Sequence, residues 1–112
     1  MICVTVLVDS EHNYSGIEML GHAGYADDYQ DGQELVCAAV SALTLNMANS
    51  IEQFTEDSFE AEQDEETGCF QFHFTSKISS ESKLLMNSLI LGLQDIEEEY
   101  GEPYIKIRFE EV

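Results

Sequence analysis

The apolar residues of this chain repeat at two periods, and the order in which those periods alternate limits the folds open to it. From Ile2 to Asp9 the period is two, with Ile2, Val4, Val6 and Val8 on one face and Cys3, Thr5 and Leu7 on the other. That pattern predicts a strand with both faces at least partly covered. Turn formers fill Ser10 to Gly16, and Ile17 to His22 reads as a second strand closing a hairpin. Residues 23–33 carry no periodicity and read as a long loop. The period then becomes helical from Gly32 or Glu34 to Phe54, where Val36, Val40, Leu43, Met47, Ile51 and Phe54 form a core stripe. A row of small residues, Cys37, Ser41, Thr44 and Ala48, lies beside that stripe and permits close packing. Asp31 and Glu34 have the spacing of a capping box and place the helix start just after Asp31.

The cycle then repeats. Ser58 to Asp64 and Cys69 to Ser76 form a second hairpin around residues 65–68, with Phe70, Phe72 and Phe74 facing inward. A second helix is predicted from Ser80 to Tyr100, opened by serines and closed by Gly101 and Pro103. Leu85, Met86, Leu89, Leu93, Ile96 and Tyr100 supply its buried side. A last strand, Tyr104 to Glu110, turns Ile105, Ile107 and Phe109 to one face. The ββαββαβ order predicts an α+β fold with two helices packed on a mostly antiparallel five-stranded sheet. With no linker and no repeat beyond two weakly similar ββα halves, residues 1–112 read as a single domain.

Charge narrows the function classes. The chain has 23 acidic and 4 basic residues, a formal net of −19, while an apolar fraction of 44% is ordinary for a folded domain. So negative a surface repels phosphate, which argues against direct nucleic-acid contact and against anionic membranes. It attracts a basic partner, although acidic surfaces also serve solubility alone. No apolar run reaches the roughly 20 residues of a membrane span, and the strand pattern at Ile2 leaves no room for a basic leader. Cys3, Cys37 and Cys69 are odd in number and widely spaced, which argues against a disulfide framework or structural zinc. The expectation is a cytoplasmic protein with reduced thiols, no metal and no cofactor.

Two residues invite chemistry. Cys37 falls within the first two turns of the first helix, where unpaired N–H groups and the helix dipole favour a thiolate. His22 ends the preceding strand, and the loop between them is long enough to bring imidazole to sulfur, as in a Cys–His protease. N–H groups around Cys37 offer part of an oxyanion hole. On composition and spacing alone the plainer reading of each wins: a small core cysteine, and a histidine making an ordinary hydrogen bond. Asp27 to Gly32 has the look of a calcium loop, but Tyr29 takes a ligand position and Ala38 the place of the closing Glu, so an EF-hand is rejected. His12 and His73 read as surface residues, Cys3 and Cys69 as small packed hydrophobes, and Glu97, Glu98 and Glu99 as a solvated helix end. No glycine-rich phosphate loop is present.

Gly21-His22-Ala23, followed after the loop by Gly32-x-Glu-Leu-Val-Cys37-Ala-Ala-Val-Ser41-Ala-Leu, resembles the ribosomal-processing cysteine protease family, Prp. Length and element order agree with that family over essentially the whole chain. The resemblance implies a cysteine endopeptidase that removes the N-terminal extension of large-subunit ribosomal protein twenty-seven during ribosome maturation in certain Gram-positive bacteria and related groups. It carries the family's catalytic histidine to His22, its nucleophile to Cys37 and its helix serine to Ser41, which orients the dyad or lines the pocket. It also implies a homodimer. Glu34 replaces the Asp usual three residues before the cysteine, and the loop, with Asp27, Asp28 and Asp31, is longer than in some relatives. Gly24 and Gly32 make this loop a candidate lid over a bound peptide, the plain alternative being a surface connection. The basic N-terminal segment of a ribosomal protein suits the net charge as substrate. The rival reading is a non-enzymatic acidic ribosome-assembly or peptide-binding module.

Overall fold

The computed structural model describes residues 1–21, 33–64, 66–101 and 103–112, with the backbone alone at 33 and 34. Its elements run β1 (Ile2–Val8), β2 (Tyr14–Leu20), α1 (Gln33–Phe54), β3 (Phe59–Asp64), β4 (Cys69–Phe74), α2 (Ser80–Tyr100) and β5 (Ile105–Glu111), the predicted ββαββαβ order. The strands lie side by side as β3-β4-β2-β1-β5. Only β1 and β5 pair in parallel; the other three pairings are antiparallel.

Alternation along the strands sorts the two faces. Val4, Val6, Ile17, Met19, Phe70 and Phe72 turn to one side and join Val36, Val40, Met47, Ile51, Met86, Leu89 and Leu93 of the helices in a single core. On the other side stand Cys3, Gln71, His73, Lys106 and Arg108, all exposed. Among the described residues the sheet therefore has one covered and one open face. On the open face Thr5 is nevertheless buried, with its Oγ1 accepting from Arg108 Nε at 3.0 Å. Gly16 sits on β2 beside β4, and a Cβ there would lie 2.6 Å from the Phe72 carbonyl oxygen.

Several sequence expectations shift. The first turn is shorter than Ser10 to Gly16, because Asp9 gathers it, accepting on Oδ1 from the N–H groups of Glu11 and Asn13. That lets β2 begin at Tyr14, and it ends at Leu20, before His22. Phe54 is 75% exposed and leaves the predicted core stripe. A 22-residue helix is about 33 Å long and a seven-residue strand about 23 Å, so α1 is longer than the strands it packs on. Ile90 joins the buried side of α2, and Phe109 emerges half-exposed beside Tyr14, ring centroids 6.0 Å apart. Cys3 is exposed rather than packed, because it lies on the open face. Residues Leu35–Phe54 are, against the sequence reading, long and apolar enough to cross a membrane, with mean hydropathy 1.3. Here they form a core helix, with Val36, Val40, Met47 and Ile51 buried against the sheet.

Glu97 is also more than a solvated acid. Its Oε2 accepts from the Ile107 N–H at 2.5 Å and so ties the last turns of α2 to β5. The start of α2 has its own anchor. Ser79 caps the helix, its Oγ accepting from the Ser82 N–H at 3.3 Å. The Asp57 carboxylate in turn accepts from Ser79 Oγ at 2.6 Å and Ser79 N–H at 3.0 Å. Burial pushes the Asp57 carboxyl up, but the Ser79 hydroxyl, the nearby Ser82 hydroxyl and the Ser79 amide together hold it below its ordinary value.

A depressed carboxyl stabilises the fold while it is ionised and ceases to do so as pH falls through its folded value. Asp57→Ala is expected to lower stability by about 1 kcal/mol at neutral pH, from the lost charged hydrogen bonds and cap support. In urea titrations the gap between wild type and Asp57→Ala should persist down to the ordinary carboxyl value of 3.8 and close below it. A gap independent of pH would contradict this assignment.

Candidate active site

Packing of Val36 and Val40 onto the sheet fixes the rotation of α1 and brings Cys37, between them in sequence, to the edge of the core. Its free thiol is partly exposed there and lines a cavity of about 210 Å³. Ile2, Met19, Val40 and Phe70 give that cavity an apolar lining from the sheet and α1. Ser41 and Thr44 continue along α1, and Gln63, Asp64 and Cys69 come from the β3–β4 hairpin.

The polar groups differ in availability. Thr44 is buried and donates its hydroxyl to the Val40 carbonyl at 2.7 Å, with Met19 Sδ at 3.5 Å, so it is already partnered. Ser41 is exposed one turn beyond Cys37. Asp64 shapes the hairpin turn, its Oδ1 accepting from the Glu66 N–H at 3.0 Å. Because α1 begins at Gln33, the N–H groups of residues 33–35 are without intrahelical partners. The N–H of Val36 is the first that the helix takes up. Unpaired N–H groups of this helix therefore lie in the turn before the thiol.

Gly21 is the last described residue before His22 and also lines the cavity. Its φ is +90°, and a Cβ there would stand 2.7 Å from the Met1 carbonyl oxygen. Both conditions require glycine and set the direction in which the chain leaves β2.

Of the residues singled out in the sequence, Cys37 and Ser41 meet at this cavity. His22, Gly24, Asp31 and Gly32 lie outside the described residues, as does the side chain of Glu34. No group of three or more His, Cys, Asp or Glu among the described residues is arranged to hold a metal. Sequence reading missed Met19, Gln63, Asp64, Cys69 and Phe70. The only signal for them was the second hairpin, and nothing local said that β4 would insert beside β2. Chemically, a thiol at the edge of an apolar cavity of this size can attack a carbonyl whose neighbouring side chain is lodged inside. The volume falls below the roughly 300 Å³ where whole small-molecule sites begin. It suits one side chain of a longer ligand.

Comparison with known proteins bears on this geometry. The family model described as cysteine protease Prp matches residues 1–106. The ribosomal processing cysteine protease Prp of Staphylococcus aureus is 31% identical over 102 residues, covering 91% of this chain and 93% of that protein. Two crystal structures of the S. aureus protease superpose on the fold. The complex with a substrate peptide has TM-score 0.88 at 29% identity, and the complex with a covalently linked product peptide has TM-score 0.86 at 29% identity. Each covers 98% of this chain and 100% of its own.

Gly21→Ala tests the strand exit. The substitution should lower stability by about 1–3 kcal/mol, from left-handed backbone strain and the clash with Met1. Urea denaturation reads this directly, and an unchanged midpoint would show that the exit is not constrained as described.

Proposed function

Because the chain belongs to the cysteine protease Prp family, we propose that it cleaves the N-terminal extension from large-subunit ribosomal protein twenty-seven, with Cys37 as nucleophile and His22 as general base and acid. The observation that carries this reading is the partly exposed Cys37 thiol at the edge of an apolar cavity sized for one side chain. The cavity holds a residue beside the scissile bond, and Cys37 Sγ attacks the adjacent carbonyl carbon. His22 takes the thiol proton and passes it to the leaving amine as the C–N bond breaks, leaving a thioester. Water then adds to the thioester with His22 as base, and the product acid departs as the thiol regains its proton. Free N–H groups in the first turn of α1 are candidates to hold the oxyanion.

Ser41 acts as a pocket residue or orients the dyad, with Glu34 and Asp31 as further orienting candidates and Gly24 and Gly32 as hinges of a lid. A basic ribosomal segment as substrate is supported by the net charge of −19, which speeds encounter at low salt. The protein acts as a homodimer in the cytoplasm, needs no cofactor and engages the protein substrate rather than nucleic acid.

The test is incubation with a basic peptide spanning the extension junction, followed by mass analysis. Wild type should give a shortened product. Cys37→Ala and His22→Ala should each lose about a thousandfold or more in kcat/KM. Iodoacetamide should block wild type, and Ser41→Ala should retain measurable turnover. Binding without a shortened product would favour the non-enzymatic module, and full activity in Cys37→Ala would refute the nucleophile assignment.

A further inference from the structure

The two edges of the sheet are not equivalent. At β5 the outward Ile107 N–H is taken by Glu97 from α2. At β3 the arrangement is open among the described residues. The Thr75 N–H donates to the Ser58 carbonyl at 2.9 Å, which makes Ser58 and Thr75 a hydrogen-bonded pair. In an antiparallel ladder such pairs alternate with unbonded ones. The register then assigns the bonded pairs to Glu60 with His73, Glu62 with Gln71, and Asp64 with Cys69. Phe59, Ala61 and Gln63 consequently point their N–H and C=O groups away from the sheet.

This free edge leads into the site. Gln63 and Asp64, at its end, line the cavity that holds Cys37. Moving back along β3, Asp64, Glu62 and Glu60 all stand exposed on the open face of the sheet. His73 Nε2 approaches Glu60 at 3.3 Å. Two of the chain's four basic residues, Lys106 and Arg108, lie on β5 at the opposite edge, about 19 Å away across four strand spacings. They do not neutralise this row.

We propose that the free edge of β3 is the docking strand for an extended, basic stretch of the substrate, which adds to the sheet beside Phe59, Ala61 and Gln63 while the scissile bond lies at Cys37. The proposal rests on the protease reading above and says where the substrate is held. Strand addition uses backbone hydrogen bonds for affinity and alternate side chains for selectivity. Residues of the added strand that share the open face with Glu60, Glu62 and Asp64 recur every second position, so Lys or Arg at alternate positions is the favoured pattern. From Gln63 to Phe59 the edge spans about 13 Å, enough for four to five peptide residues. The competing account is that the acids only keep edges of separate molecules apart.

Two variants separate these accounts. Ala61→Pro removes an outward N–H and no ladder bond, so the β3–β4 pairing is kept. Glu60→Lys with Glu62→Lys reverses the charge row. With the junction peptide, each variant should raise KM about tenfold with kcat at saturation retained, the loss expected for one or two backbone or charged contacts. A truncated peptide, keeping only the residues flanking the scissile bond, should be cleaved equally by all three proteins. The salt dependence of KM expected of wild type should weaken in the charge-reversed variant. Thermal melts check folding, and if Ala61→Pro does not fold the charge reversal decides. KM within twofold of wild type for the full peptide, or an equal defect on the truncated one, overturns the docking strand and leaves the protease reading standing. Absence of cleavage by wild type overturns both.

Discussion

Burial of α1 and α2 against one face of the sheet is the constraint on which the rest depends. Val4, Val6, Ile17 and Phe72 are at most 1% exposed, and they meet Val36, Ile51 and Leu93, which are fully buried. Burying an aliphatic or aromatic side chain of this size contributes about 1.5–3 kcal/mol, so these contacts outweigh any polar interaction in the molecule. They also leave α1 almost no freedom to rotate. A helix locked at Val36 and Val40 presents the intervening Cys37 at one place only, and preorganisation of the thiol follows from hydrophobic packing rather than from a polar network.

The cavity is assembled from segments distant in sequence. β1 and β2 supply Ile2 and Met19, α1 supplies Cys37 and Ser41, and the second hairpin closes it with Gln63, Asp64 and Cys69. What unites them is the insertion of β4 beside β2, where Gly16 lets the Phe72 carbonyl approach. The polar anchors at Asp57 and Glu97 act at the two ends of α2, and each is met by a backbone N–H of another segment.

Periodicity made most of the fold legible. The bounds of α2 and the inward set Phe70, Phe72 and Phe74 could be read because they depend on local alternation. Strand order could not, since it is decided by which hairpin reaches the first helix, and that carries no local mark. The site was legible in the same proportion. Cys37 and Ser41 lie one helical turn apart and were readable together; Met19 and Asp64 reach them only through the sheet. Glu97 looked like one of three solvated acids because its partner, the Ile107 amide, belongs to a strand ten residues on. Phe54 failed as a core residue for a simpler reason: period says which face a residue is on, not how far the opposing surface extends.

The Glu97 contact carries a consequence for assembly. A sheet with two available edges can be extended without limit, one molecule templating the next. Here one edge is stopped in its middle by a carboxylate from the domain's own helix, and among the described residues the other remains available. Extension by strand addition is therefore terminating: a domain accepts a single further strand, and two domains meeting edge to edge make a closed pair. The stoichiometry of any such association is capped by the fold itself, so the sheet stays clear of fibre growth without sacrificing an accessible backbone.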